Sequence, residues 1–316
     1  MKRGSQFELG GVKYEVEKRI GQGGVAVAYR AHMIEQPSWK IAAKRIMKSS
    51  ALPMIQTGMD IRNEHPDLPP ELVSMPVHRT IENRMMGTFY LLGPRNDLGE
   101  KLERTWFDNG MEIKIWRVNL AHRMIEAIAP ILFELSKRGI THGDTKPSNM
   151  SIPRNRARKG GLWDIDLMNT FDRRNRPKNP KYTHGTIRYM PLEIAAAKNP
   201  TPTSDLASLS YSVLECMGRK LSHAAGIKLH GELYEILENH AGEDPDIKAM
   251  EAYLRKEYPE DIYGEISRKA YGIIEFLKRG LQRRWEDRPQ TLGEVQMLIN
   301  ARANLSTYAG TTIIKP

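Results

Sequence analysis

The chain has 316 residues, 40% of them hydrophobic, and a formal net charge of +10. That apolar content is ordinary for a globular protein, no apolar run approaches the ~20 residues that span a bilayer, and the excess of cations favours anionic partners, whether nucleotide, acidic protein, nucleic acid or anionic lipid. The single cysteine, Cys216, excludes an internal disulfide framework and suggests a reducing compartment, and the basic start Met1-Lys2-Arg3 has no apolar core behind it, so no signal peptide is expected.

The first readable element is Tyr14–Ile20, where apolar and charged residues alternate as in a half-buried strand. It runs into Gly21-Gln22-Gly23-Gly24 and then Val25–Ala31, a strand, glycine turn and strand that bring backbone amides close to phosphates. Trp39–Ile46 reads as the next strand, with Ala42, Lys44 and Ile46 on one face. Residues 49–80 carry Pro53, Pro66, Pro69, Pro70 and Pro76, which break most helical readings. Met85–Leu92 is a continuous apolar strand stopped by Gly93-Pro94.

From Ile113 to Leu135 the apolar residues step by three or four, which describes one face of a helix. Pro130 predicts a kink in it, and Lys137-Arg138-Gly139 ends it with cations and a glycine. Directly after comes Thr141-His142-Gly143-Asp144-Thr145-Lys146-Pro147-Ser148-Asn149, then Leu162-Trp163-Asp164-Ile165-Asp166-Leu167. An acid, a lysine two residues on, an amide three beyond that and a second acid on a short apolar run form a phosphoryl-transfer constellation. Such a site places a hydroxyl and spreads the charge of the moving phosphoryl group. Asp144 is of the right type to accept the hydroxyl proton, and Lys146 to neutralise the γ-phosphate. Asn149 and Asp164 offer the oxygen ligands that Mg²⁺ prefers.

The basic stretch Arg154–Gly161 reads as a solvated hairpin tip. A second basic segment, Asp172–His184, carries Arg173, Arg174, Arg176, Lys178 and Lys181. Gly185-Thr186-Ile187-Arg188-Tyr189-Met190-Pro191-Leu192-Glu193 follows, and Thr201–Asp205 has the chemistry of a helix start. Residues 218–280 read as helical and polar, with breaks at Gly242, Pro245 and Pro259. Arg284-Trp285-Glu286-Asp287-Arg288-Pro289 lies beyond them.

In this order and spacing the motifs resemble those of the protein kinase superfamily over residues 14–300. The glycine turn resembles the glycine-rich loop, with Ala26 and Ala28 in place of its third Gly and its Val, and Ala42-Ala43-Lys44 resembles the strand whose lysine holds the α/β-phosphates. The Asp144–Asn149 loop resembles the catalytic loop, Asp164 the metal-binding Asp, and Gly185–Glu193 the end of the activation segment. The resemblance implies an α+β bilobal fold, with a β-rich N-lobe over 1–93, a mainly helical C-lobe over 94–303 and a tail over 304–316. It implies ATP and Mg²⁺ as cofactors and transfer to Ser/Thr hydroxyls of protein substrates, acidic or already phosphorylated ones given the basic segment. Nucleotide contacts are implied for Gly21, Gly23, Gly24, Ala28, Ala42, Lys44, Tyr90 and Leu92. Glu64 is expected to pair with Lys44, with Asp60 and Glu71 as alternatives, and Thr186 to act with Lys146 around Asp144. The family's buried helix-start acid, here Asp205, ties down the catalytic loop, and the late Arg288 pairs with Glu193. The Leu91–Pro94 and Asp205–Tyr211 runs resemble the casein kinase 1 group, which usually lacks the Glu–Arg pair. An intracellular location, in cytoplasm or nucleus, is expected, with no membrane contact; a nucleic-acid partner is left open and not predicted. Two other readings remain open. His142-Gly143-Asp144 with Asp164-Ile165-Asp166 is similar to small-molecule phosphotransferases of the aminoglycoside or choline kinase type, and the altered glycine loop suits a pseudokinase scaffold.

Overall fold

The structure, a computed structural model, describes residues 1–22, 26–49, 52–68, 85–89, 111–152, 160–162, 168–170, 185–195, 200–217 and 265–300. Its N-terminal part is a five-stranded antiparallel sheet in sequence order: β1 (Gln6–Leu9), β2 (Val12–Gln22), β3 (Ala26–Met33), β4 (Lys40–Ile46) and β5 (Met85–Phe89). β1 was not expected from the sequence. It exists because Gly10 and Gly11 form a two-residue hairpin turn, with φ of 60° and 75°, that sets Leu9 opposite Val12. A one-residue bulge at Glu17 and another at Ile20 shift the β2–β3 register.

Period-two alternation gives the sheet one dry face. Leu9, Tyr14, Ala31, Ile41 and Ala43 are 0–2% exposed and pack together, with Phe7 stacked on Tyr14 at a centroid distance of 5.5 Å. Val16, Val27 and Tyr29 form a second cluster. The opposite side of β3 and β4 carries the half-buried Ala26, Ala28, Ala42 and Lys44.

Between β4 and β5 lies α1 (Leu52–Glu64), in the stretch where the prolines argue against a helix. Pro53 occupies its second position, inside the first turn, where a missing N–H removes no intrahelical bond. Ile61, and Leu68 just beyond the helix, pack into the main helical core, and α1 lies beside β9 (Asn169–Thr170).

That core is built on α2 (Met111–Lys137), which runs through Pro130 as one element and ends at Gly139 with φ of 71°. Met124, Ile125 and Ile128 are fully buried against α4 (Ser204–Met217), α5 (Glu265–Gly280) and α6 (Leu292–Ile299), the short α3 (Leu192–Ala195) preceding α4 in the chain. α4 is buried nearly all round. The hydroxyls of Ser210 and Ser212 are satisfied by donation to the carbonyls of Leu206 and Ser208, each at 2.9 Å. Among the described residues no helix is long and apolar enough to cross a membrane.

Candidate active site

The loop 142–149 is pinned at both ends by short strand pairs. β6 (Ile140–Thr141) pairs with β9, and β7 (Met150–Ser151) pairs with β8 (Gly161–Leu162). A single turn of 3₁₀ helix, Pro147–Asn149, brings the chain out. Asp205, in the first turn of α4, ties the loop from beneath. Its carboxylate accepts the backbone N–H of His142 at 2.5 Å, that of Gly143 at 3.0 Å and the Thr145 hydroxyl at 3.2 Å. Burial pushes the Asp205 carboxyl up, against the opposing effect of His142 and the three donors. Gly143 sits at φ of 81°, the left-handed conformation that favours glycine.

Asp144, 8% exposed, is the centre of the constellation. Its Oδ1 accepts the Thr186 backbone N–H at 2.9 Å and the Thr186 hydroxyl at 2.8 Å. Its Oδ2 accepts the Lys146 ammonium at 2.5 Å and the Asn149 amide at 3.1 Å. Lys146 also donates to the Thr186 hydroxyl at 2.7 Å, and Asn149 to the Asp144 carbonyl at 2.8 Å. Asp144, Lys146, Thr186 and Asn149, all named from the sequence, are thus brought into one cluster. Thr186 comes from 40 residues beyond Lys146. It reaches the loop because Gly185 lies flat on it: a Cβ there would fall 2.9 Å from the Gly143 carbonyl oxygen.

The segment after Thr186 is anchored to α4. Arg188 Nη1 donates to Glu215 Oε1 at 2.7 Å, and the Tyr189 hydroxyl donates to Glu215 Oε2. Burial, then the Glu215 charge, raises the Tyr189 pKa. Glu215 was not singled out from the sequence. A lone acid in the apolar run Val213–Met217 was the available signal, because a charge in a buried helix needs partners. A further anchor is the Glu193–Arg288 pair. Arg288, 2% exposed, donates Nη1 and Nη2 to the two Glu193 oxygens at 2.6 and 2.8 Å, and the Ser204 hydroxyl adds a bond of 2.8 Å. Burial raises the Glu193 carboxyl, but Arg288 and Ser204 more than offset it, so its pKa lies below the ordinary glutamate value.

On the sheet, Gly21, Ala28 and Lys44 form a cross-strand row, since Ala28 is the register partner of both Gly21 and Lys44. Ala28 and Lys44 therefore project from the same face, with the small Ala42 two residues along the strand. Of the three acids expected as partners of Lys44, Glu64 and Asp60 lie among the described residues. Glu64 is exposed at the end of α1 and no ion pair joins it to Lys44; Asp60 is also exposed and accepts a bond from Gln56 at 2.7 Å. Gly23, Gly24, Tyr90, Leu92, Asp164 and Asp166 lie outside the described residues, as do Glu71 and the basic segments 154–159 and 172–184. Among the described residues no group of three His, Cys, Asp or Glu side chains could hold a metal. The donor chemistry of Asn149 nonetheless suits a hard cation: both bonds to Asp144 use its Nδ2, leaving the amide oxygen as a ligand.

No protein-family model matches the chain, and no curated protein matches its sequence. Its structure does match solved structures. One is the crystal structure of a double mutant of the Mycobacterium tuberculosis PknI kinase domain, with a TM-score of 0.59, 15% identity, and coverage of 96% of this chain and 99% of that one. At that identity the likeness speaks for architecture alone, and the architecture of this chain is a protein kinase fold.

Proposed function

We propose that the chain is an ATP- and Mg²⁺-dependent phosphotransferase that transfers the γ-phosphate to serine or threonine hydroxyls of protein substrates. The observation that carries this reading is the Asp144–Lys146–Asn149–Thr186 cluster, held on a pinned loop in a protein kinase fold. In this reading Asp144 orients the acceptor hydroxyl and takes its proton, Lys146 faces the γ-phosphate, and Thr186 positions both. Lys44 would reach the phosphates from the sheet face it shares with Ala28 and Ala42, while Gly21, Gly23 and Gly24 would approach the phosphates and Tyr90 and Leu92 would meet the adenine. Asn149 and Asp164 would hold Mg²⁺, which when bound neutralises charge on the phosphates. The Gly185–Glu193 segment, anchored through Glu215 and Arg288, favours a protein substrate over a small alcohol, because it lays an ordered stretch of chain against the catalytic loop. The basic residues Arg173, Arg174 and Arg176 favour acidic or phosphorylated substrates.

One observation favours a second reading, a nucleotide- or partner-binding pseudokinase: Ala26 and Ala28 stand where the glycine-rich loop carries its third Gly and its Val. Incubation with labelled ATP and Mg²⁺, against a mixed protein panel and a small-alcohol panel, separates the readings. Phosphoserine or phosphothreonine that disappears with EDTA is the expected product. Labelled alcohols would point to the small-molecule class, phosphotyrosine alone would overturn the Ser/Thr assignment, and no transfer would leave the pseudokinase.

A further inference from the structure

The proposed reaction asks Asp144 to receive a hydroxyl, yet its carboxylate has no acceptor position to spare. An ionised carboxylate offers about four lone-pair sites. All are taken: two on Oδ1 by the amide and hydroxyl of Thr186, two on Oδ2 by Lys146 and Asn149. A substrate hydroxyl must therefore displace a donor. The Thr186 amide is backbone, set by the close packing of Gly185 on Gly143. Asn149 is 6% exposed and held by a second bond to the Asp144 carbonyl. The Thr186 hydroxyl sits on a short side chain beside its own bonded amide. Lys146 differs: it too makes a second bond, to the Thr186 hydroxyl at 2.7 Å, but its ammonium ends a long flexible stem, its side chain is 21% exposed, and its charge follows whichever anion is stronger. Its departure opens one site on Oδ2 and leaves the Thr186 hydroxyl donating to Oδ1.

We propose that the Lys146–Asp144 ion pair is a gate, opened when the terminal phosphate of a nucleoside triphosphate draws Lys146 off Oδ2, so that an acceptor hydroxyl is positioned only after the triphosphate has bound. This rests on the phosphotransferase reading above. The gate gives the triphosphate and the hydroxyl substrate a shared coupling, reciprocal by linkage. A diphosphate, lacking the terminal group, leaves the gate shut.

The test needs no knowledge of the substrate. Binding of AMP-PNP and of ADP, each with Mg²⁺, is measured by titration calorimetry on the full chain, its Asp144→Asn and Lys146→Met variants, and the double variant. Asp144→Asn frees Lys146 from its ion pair, so AMP-PNP is expected to bind about fivefold or more tightly, at the lower end of usual coupling strengths, with ADP affinity unchanged. In the Lys146→Met background that gain should vanish. A gain that persists without Lys146 would mean that Asp144 merely repels phosphate, and would overturn the gate. So would an equal gain for ADP, or no gain at all. Binding of neither nucleotide to the unmodified chain would remove the phosphotransferase reading together with the gate, whereas normal binding without coupling removes the gate alone. Asp144→Ala repeats the cycle if thermal unfolding shows that Asp144→Asn does not fold.

Discussion

In the phosphotransferase reading Asp144 and Lys44 act directly on the reacting groups. Asp144→Asn and Lys44→Ala are each expected to lower turnover by at least ~100-fold, comparable to the loss of one preorganised electrostatic group. A fully active Asp144→Asn protein would contradict the assignment. Gly185 makes a different demand. Its neighbour is the Gly143 carbonyl oxygen, 2.9 Å from where a Cβ would stand, and backbone cannot rotate away as a side chain can. Gly185→Ala should therefore push Thr186 off Asp144 and lower kcat, by up to ~100-fold for a displacement near an ångström. Unchanged kcat would show that the close approach does not set the position of Thr186.

Among the elements, α1 and α4 contrast. The acids of α1 are exposed and do not meet Lys44, so a double Asp60→Ala, Glu64→Ala variant should bind ATP as the unmodified chain does. A tenfold loss of affinity would restore the helix as a phosphate-site partner. α4 is instead the floor of the site, through Asp205 and Glu215, and its start is locked by Ser204 on the Glu193–Arg288 pair. Removing one partner of a buried pair strands the other charge, so Arg288→Ala should destabilise by ~3–5 kcal/mol. The same pair makes stability pH-dependent. The folded Glu193 carboxyl has a lowered pKa, so its contribution is fully present above the ordinary glutamate value and is lost as pH falls below it toward the folded pKa. Denaturant midpoints should thus fall through this acid range in the unmodified chain and fall less steeply in Glu193→Gln. Parallel pH profiles would contradict the linkage.

At the scale of the whole molecule, the net charge of +10 belongs partly to Arg173, Arg174 and Arg176. If these steer acidic substrates, neutralising all three should raise KM for an acidic peptide, leave kcat nearly intact and flatten the salt dependence, because steering is screened over ~8 Å at physiological ionic strength. Equal KM values for acidic and basic peptides on the unmodified chain would remove the steering. The sequence alone determined what local chemistry dictates. The alternation of β2 and β4, the helical face of α2 and the residue types of the Asp144–Asn149 loop are short-range patterns, readable without a fold. Glu193 and Arg288 were readable through motif likeness, and the structure pairs them. The meeting of Thr186 with Asp144 was readable in the same way, and the structure achieves it because Gly185 can lie on Gly143. Tertiary structure alone decided the others: Glu215 on α4 meets Arg188 and Tyr189, and Glu64 is exposed although its spacing from Lys44 suits a pair. Spacing along a chain limits how far apart two residues can be. Whether they touch depends on the rotation of each helix and on which backbones can approach closely, and those follow from packing of the whole core.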